Sequence, residues 1–206
     1  LVHDAAIQHL PVIFCLDRAG IAGEDGPTHH GALDIAYLKC VQDLIVSSPR
    51  NGNELRNLLY TALEYKDGPF AIRYPKASSE EFDQNLQAEL LPIGSWEVLQ
   101  NGNDVAILAV GPLTYLALEA AEELKKLDIS CEVVNCRFIK PMDENYLEFM
   151  LEKFSSVLTI EEGVRSGGFG EGVLSWLSSN NYMGNSSIIS LPDKFVEHGP
   201  RDLLLE

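Results

Sequence analysis

Basic residues are scarce in this chain. It contains 15 lysines and arginines against 31 aspartates and glutamates, which gives a formal net charge of −16 and a pI of about 4.6. A surface this acidic repels phosphate backbones and anionic lipid, so we expect neither nucleic acid nor a membrane as a partner. An anionic small-molecule substrate would need a local cluster of cations that works against the field of the whole protein.

Long apolar runs and paired cysteines are also missing. No apolar stretch approaches the ~18 residues of a membrane-spanning helix, and no signal peptide is visible. The cysteines form no C-x-x-C pair, and the histidines show no metal-ligand spacing. We therefore expect a cytoplasmic protein with reduced, buried cysteines and no metal ligands of its own. The cysteines are Cys15, Cys40, Cys131 and Cys136.

Both ends of the sequence look like interrupted helices. Residues 1–10 have helical spacing without a start signal, and the final LLLE run has the composition of a helix that has just begun. The 206 residues, 46% of them hydrophobic, suffice for one large or two small α/β domains. We expect a piece of a longer protein.

The first part of the chain alternates between strand and helix patterns. Its order, strand–loop–helix–strand–helix–strand, predicts a parallel sheet with right-handed crossovers. A polar stretch at 77–90 without periodicity follows it and is the predicted linker. The predicted strands and helices cover, in chain order, residues 11–17, 32–40, 43–49, 51–65 and 70–75.

The pattern then restarts and predicts a second α/β unit with a core of its own. Two strand patterns flank Asn101-Gly102-Asn103, which favours a β-hairpin. The fold class is therefore predicted as α/β, with two three-layer α/β/α units and mostly parallel sheets. The predicted boundaries are 1–78 for the first unit, 79–91 for the linker and 92–206 for the second unit. The elements of the second unit are predicted at residues 95–100, 104–110, 112–127, 131–136, 143–153, 156–162, 171–178 and 186–192.

The segment DRAGIAGEDGPTHHG, residues 17–31, carries the most chemistry. It leaves the end of a predicted parallel strand, where open α/β sheets bind ligands. Arg18 can grip a phosphate or carboxylate, and His29 and His30 can titrate near neutral pH. Residues 73–76, RYPK, end another strand at the same edge of the sheet. Arg18, Arg73 and Lys76 are therefore predicted to lie together at one opening at that edge, which we call the mouth. The alternatives are a merely solvated loop, and local acids that pair with Arg73 and Lys76.

Two other features invite a functional interpretation that we do not favour. SGGFGEG, residues 166–172, lacks the third glycine of a dinucleotide-binding loop, so tight packing at a helix start is the better interpretation. Glu161 and Glu162 are consecutive strand residues that point to opposite faces, so we expect structural or interface roles rather than an acid/base pair. His198 is expected to be structural.

Seven blocks of the sequence carry a family resemblance. DRAGIAGEDGPTHHGALDIAYL, SSPRNGNELRNLLYTAL and DGPFAIRYPK resemble the pyrimidine-binding domain of 1-deoxy-D-xylulose-5-phosphate synthases, which are transketolase-like thiamine diphosphate enzymes. CRFIKPMDE, TIEEG, GGFGEGV and PDKFVEHGPRDLL are similar to the C-terminal domain of the same enzymes. The resemblance implies condensation of pyruvate with D-glyceraldehyde 3-phosphate, release of CO₂, and a product that feeds isoprenoid, thiamine and pyridoxal synthesis. It also implies thiamine diphosphate and Mg²⁺ as cofactors and a homodimer.

The resemblance also implies roles for individual residues. His29 is expected to transfer protons and Asp25 to be an active-site acid. Arg18 and Lys76 are expected to grip the aldehyde's phosphate, with Arg73 and Tyr74 as further substrate-binding residues. The family usually has arginine where Lys76 stands, and lysine lacks the planar fork.

The main ligands of the cofactor are expected upstream of Leu1, so the chain is expected to be inactive alone. Two other interpretations remain open. The chain could be the beta subunit of a 2-oxo-acid dehydrogenase, or a non-catalytic dimerisation module.

Overall fold

The computed structural model describes residues 1–79 and 81–205. In this part of the chain the strands form two sheets with helices packed against them, which confirms the predicted fold class. Residue 80 of the predicted linker and residue 206 of the second predicted unit lie outside the described residues. The strands are β1 (Ile13–Leu16), β2 (Ile45–Ser47), β3 (Phe70–Arg73), β4 (Glu97–Gln100), β5 (Val105–Ala109), β6 (Cys131–Asn135), β7 (Phe138–Lys140), β8 (Ser156–Val164) and β9 (Asn185–Leu191). The α-helices are α1 (Asp34–Lys39), α2 (Gly52–Glu64), α3 (Leu113–Lys125), α4 (Glu144–Lys153), α5 (Phe169–Ser179) and α6 (Arg201–Leu204), and short helical turns cover Val2–Ala6 and Gly23–Asp25.

The first sheet has the strand order β1-β3-β2-β7. β3 pairs in parallel with β1 and β2, as predicted, and β2 and β3 are buried along their whole length. This is the burial expected of central strands covered on both faces. β7 pairs antiparallel with β2 and was not predicted. The second part of the chain thus supplies a strand to the first sheet.

The second sheet has the order β4-β6-β5-β8-β9, parallel except for the edge strand β4. The predicted hairpin is wrong, because β4 pairs with β6 rather than with β5. Gly102 allows two chain segments to approach each other closely, and it does not form a two-residue turn. A Cβ atom there would lie 2.1 Å from the carbonyl carbon of Cys131.

Side-chain caps set the start of two helices. The Asn51 side chain accepts a hydrogen bond from the N–H of Glu54 (2.9 Å) at the start of α2, and Asp143 does the same for Tyr146 (3.0 Å) in α4. The predicted linker lies against α2, since the N–H of Gly52 donates to Ser79 Oγ at 2.7 Å. These contacts use the first N–H groups that an α-helix leaves without intrahelical partners.

One hydrophobic cluster joins the two parts of the chain. Ile35 and Val46 of the first part pack in the same cluster as Leu108, Leu147 and Phe169 of the second. A further cluster lies wholly within the second part, so this part has a core of its own and also shares one with the first part. A buried hydrogen bond adds to this link, because Asn135 Nδ2 of β6 donates to Glu54 Oε1 of α2 at 2.7 Å.

The four cysteines are free, but the expectation that all are buried is wrong. Cys131 and Cys136 are buried, whereas Cys15 and Cys40 are exposed. Cys15 lies on β1, an edge strand, and Cys40 directly follows α1. Among the described residues, none of the helices has the length and apolar character needed to cross a membrane.

Candidate functional site

The glycine-rich loop leaves the carboxyl end of β1 and returns to its own start. The Gly31 N–H donates to the Arg18 carbonyl (2.9 Å), and the Gly20 N–H donates to the Gly31 carbonyl (3.1 Å). Gly20 has φ +72°, and a Cβ atom there would lie 2.1 Å from Glu162 Oε2. Glycine is therefore required at this position both by the backbone conformation and by the close approach of β8.

Asp25 lies between two cations. Arg18 Nε donates to Asp25 Oδ2 at 2.8 Å, and Lys76 Nζ donates to Asp25 Oδ1 at 2.7 Å. Hydrogen bonds from Lys76 and then from Arg18 lower the pKa of the Asp25 carboxyl from 3.8 to about 2. Arg18 also donates to Asp17. The predicted meeting of Arg18 and Lys76 at one mouth is thus confirmed, with Asp25 as their shared partner.

The two histidines of the loop differ in their surroundings. His29 is exposed, and its Nδ1 lies 3.0 Å from Thr28 Oγ1. His30 is half-buried, and its Nδ1 accepts a hydrogen bond from the Ala22 N–H at 2.9 Å. This bond places the ring proton of neutral His30 on Nε2, which is shielded from solvent and has no partner among the residues described. His30 therefore ties the two ends of the loop together, while His29 remains accessible.

Arg73 does not lie with Arg18 and Lys76. Its side chain is 3% exposed, and its Nε donates to Asp34 Oδ2 at 2.8 Å. Its Nη2 donates to the carbonyls of Gly31 (3.3 Å) and Glu162 (3.1 Å). All these partners belong to the protein, so the contacts argue against the predicted substrate-binding role and fit the alternative of pairing with a local acid.

Tyr74 and Lys76 continue from β3 toward the surface. The Tyr74 N–H donates to the Leu16 carbonyl (2.9 Å), and its own carbonyl accepts from the Ala19 N–H (3.0 Å). Both side chains line a cavity of about 640 Å³. Burial raises the pKa of the Tyr74 hydroxyl. Tyr74 is thus placed beside Lys76, and its side chain is available to a ligand in that cavity.

Glu161 and Glu162 point to different places, as predicted. Glu161 accepts the N–H groups of Phe169 and Gly170, both at 2.8 Å, at the start of α5. Burial raises the pKa of the Glu161 carboxyl. Glu162 accepts the Ile21 N–H at 3.0 Å and pairs with Arg201. Glu161 therefore caps a helix, and Glu162 holds the glycine-rich loop.

Three residues that shape the site were not predicted for it. Asp34 holds Arg73, Glu162 holds the loop, and Arg201 donates to both Glu162 and the Ile21 carbonyl. The Glu-Glu-Gly sequence at the end of a predicted strand was the available signal for Glu162. The sequence offered no comparable signal for Arg201, which lies 180 residues after Ile21.

The described residues contain no group of three or more histidine, cysteine, aspartate or glutamate side chains that could hold a metal ion. The donors that converge at the mouth are the cations Arg18 and Lys76. Such a pair suits the oxygens of a phosphate or carboxylate and does not ligate a metal ion. The residues present therefore fit the binding of an anionic substrate group.

Comparison with known proteins identifies relatives of both parts of the chain. The family model for the transketolase C-terminal domain matches residues 94–206, and that for the transketolase pyrimidine binding domain matches residues 1–80. A protein of Aquifex aeolicus (strain VF5) named 1-deoxy-D-xylulose-5-phosphate synthase is 44% identical over 209 residues, which are 99% of this chain and 32% of that protein. One of the same name from Geobacillus sp. (strain WCH70) is 46% identical over 210 residues, covering 100% of this chain and 33% of that protein.

A solved structure described as a split-gene transketolase, an inactive beta4 tetramer, has the same fold. It superposes with a TM-score of 0.82 at 28% identity, over 93% of this chain and 61% of that one. The chain spans about a third of the length of the curated relatives it matches. The chain therefore belongs to the transketolase family, and its predicted resemblance to the 1-deoxy-D-xylulose-5-phosphate synthases is confirmed.

Proposed function

We propose that this chain supplies the substrate-phosphate side of a 1-deoxy-D-xylulose-5-phosphate synthase, which condenses pyruvate with D-glyceraldehyde 3-phosphate and releases CO₂. The observation that carries the proposal is the cluster of Arg18, Asp25 and Lys76 at the carboxyl ends of β1 and β3. The curated relatives that match nearly the whole chain carry the name of this enzyme, which agrees with the proposal.

Arg18 and Lys76 bind the phosphate of the aldehyde. Both present hydrogen-bond donors at one mouth, where Asp17 and Asp25 balance their charges, so the phosphate takes over donors that these carboxylates hold in the free chain. Asp25, ionised at neutral pH because its pKa is about 2, orients these donors and accepts a hydrogen bond from a substrate hydroxyl. His29 is accessible on the same loop and moves protons at the reacting oxygen.

When bound, thiamine diphosphate would supply the nucleophilic carbon for the reaction with pyruvate. We place its ligands and those of Mg²⁺ outside this chain, because the basic and acidic side chains that meet here already form the phosphate site. The chain's own residues bind and orient the second substrate. The parent protein is proposed to act as a homodimer, and this chain is proposed to be inactive by itself.

A chimera tests the reaction directly. The matching third of the Aquifex aeolicus relative is replaced by this chain, and formation of 1-deoxy-D-xylulose 5-phosphate is measured with thiamine diphosphate and Mg²⁺. The chimera is expected to form the product, whereas the isolated chain is expected to leave pyruvate unchanged. A folded chimera without product, or decarboxylation by the isolated chain, would contradict the proposal.

Variants of the chimera test the assigned roles. Arg18→Gln should raise KM for the aldehyde about ten-fold or more, because one charge-assisted contact to the phosphate is lost. Lys125→Gln on exposed α3 makes the same change in charge outside the site and should leave KM unchanged. His29→Ala should lower kcat rather than raise KM, since proton transfer contributes about 10²–10⁴-fold.

An assembly role is the second candidate, and one observation favours it. The solved structure that shares this fold is described as an inactive tetramer. Light scattering after size-exclusion chromatography of this chain distinguishes the two candidates. A stable oligomer would support the assembly role, and a monomer would rule it out. In either case the chimera still tests the catalytic role.

A further inference from the structure

A cavity of about 640 Å³ lies beside the phosphate site and extends from it to two further helices. It opens where β1 and β3 end and is bounded by the starts of α2 and α3. Asp17 and Tyr74 border it at the strand ends, and Asn51 and Tyr115 border it at the helix starts. Cavities of about 300–1,000 Å³ at the carboxyl ends of such strands are typical ligand sites.

Arg50 is a cation in the wall of this cavity, and the contacts described so far give its guanidinium no role. Its side chain is 24% exposed, and its closest acid is Glu97, with the Nη2 and Oε2 atoms 3.9 Å apart. That distance is too long for a hydrogen bond. Among the described residues, none accepts a hydrogen bond from the Arg50 guanidinium, although its backbone N–H donates to Glu54 at 2.7 Å. A half-buried guanidinium with unused donors in a cavity wall is suited to an anionic ligand.

Three cations and two acids line the cavity. Lys76 and Arg201 line it together with Arg50, but Lys76 is paired with Asp25 and Arg201 with Glu162, so among the described residues Arg50 is the lining cation without a hydrogen-bonded carboxylate. Of its two acids, Asp17 already pairs with Arg18, and Glu119 is exposed at the rim. The first N–H groups of α2 are capped by Asn51 and Ser79, so the cations and not the helix end would hold the ligand.

The rest of the wall is largely apolar. Leu55, the rings of Tyr74 and Tyr115, and Pro112 also line the cavity. The Ser78 hydroxyl adds a further hydrogen-bonding group. An inorganic phosphate ion would fill only a small part of such a volume and would leave this apolar wall in contact with water. The lining therefore fits an anion that carries an organic group.

We propose that this cavity is a second ligand site that takes a small organic phosphate, held by Arg50 and Lys76 with its organic part against Tyr74 and Tyr115. Lys76 is shared with the site at Asp25, so a ligand in the cavity competes with Asp25 for the Lys76 ammonium. The proposal does not rest on the proposed reaction, because it needs only the contacts within this chain.

Titration of the 206-residue chain with phenyl phosphate, glycerol 3-phosphate and inorganic phosphate tests the proposal, with calorimetry as the readout. Phenyl phosphate should bind more tightly than inorganic phosphate. Arg50→Gln should weaken phenyl phosphate binding about ten-fold, the effect of losing one charge-assisted hydrogen bond. Glu119→Gln should strengthen it roughly two- to five-fold by removing an exposed like charge. Lys125→Gln, at the far end of α3, is the matched control and should change nothing.

The variants also separate this site from the phosphate site. If Arg18→Gln abolishes phenyl phosphate binding and Arg50→Gln does not affect it, the ligand lies at Arg18 and the cavity proposal is overturned. Equal affinity for phenyl phosphate and inorganic phosphate would overturn it as well. Loss of binding in Arg50→Gln alone, in a protein with unchanged thermal stability, supports the cavity site even if the chimera forms no product.

Discussion

Replacing Arg73 by methionine should strongly destabilise the protein. Methionine keeps much of the length of the arginine side chain but removes the guanidinium, which donates to Asp34 at 2.8 Å and to the carbonyls of Gly31 and Glu162. The Asp34 side chain is only 5% exposed, so its carboxylate would remain buried without its cation. Removing one partner of such a pair costs about 3–5 kcal/mol.

The loss in the free energy of unfolding is measured by thermal and urea unfolding of the 206-residue chain. In a chain of this size, 3–5 kcal/mol corresponds to a fall in the melting temperature of roughly 6–20 °C. Arg165→Met is the matched control, because Arg165 is exposed and its side chain makes no hydrogen bond to the residues that the structure describes. That control should change stability by less than about 0.5 kcal/mol.

A double-mutant cycle identifies the ion pair as the cause. Asp34→Ala combined with Arg73→Met should cost clearly less than the sum of the two single changes, because the second change removes the charge that the first leaves unpaired. A loss below about 1 kcal/mol for Arg73→Met alone would refute the reasoning. It would mean that the guanidinium is free at the mouth, and the predicted substrate-binding role of Arg73 would return.

Three further predictions concern the loop and its cations. The pKa of Asp25 is lowered from 3.8 to about 2, so the stabilisation by its ion pairs is fully present above pH 3.8 and is lost as the pH falls through 2. The stability difference between the wild type and Asp25→Asn should shrink over this window in acid unfolding curves, and a constant difference would contradict it. Gly20→Ala should cost about 1–3 kcal/mol in backbone strain alone, with Gly68→Ala as the control, since a Cβ at Gly68 meets no atom within 3.4 Å. Lys76→Arg in the chimera should lower KM for the aldehyde, because the planar fork binds phosphate bidentately, and an unchanged KM would argue against phosphate binding there.

The sequence predicted the elements whose stabilising contacts are local. α2 was predicted at 51–65 and is observed at Gly52–Glu64, because Asn51 caps it and its apolar residues repeat at helical spacing. The parallel strands of the first sheet were predicted for a similar reason. They are short, apolar on both faces and separated by helices, a pattern that a parallel sheet requires.

The errors concern pairing between distant segments. β7 has only three residues, and its partner β2 lies about 90 residues earlier, so its own sequence gives no strand signal. The Asn-Gly pair between β4 and β5 resembles a hairpin turn, yet the sheet inserts β6 between these strands. Likewise, the short sequence separation of Arg73 and Lys76 suggested one mouth for both. Arg73 is the last residue of β3 and is buried, whereas Lys76 lies beyond the strand.

The same long-range contacts explain how the proposed phosphate site keeps its geometry. The loop that carries Arg18, Asp25 and His29 is bound at Ile21 by Glu162, a residue 141 positions away, and Arg201 donates to both of these residues. The second part of the chain therefore helps to hold the loop, in addition to the contacts that the loop makes with β3 and the residues that follow it. Since no cofactor contact is needed for this support, the cations at the mouth are preorganised for an anion within this chain, and phosphate-ester binding can be measured separately from the complete reaction.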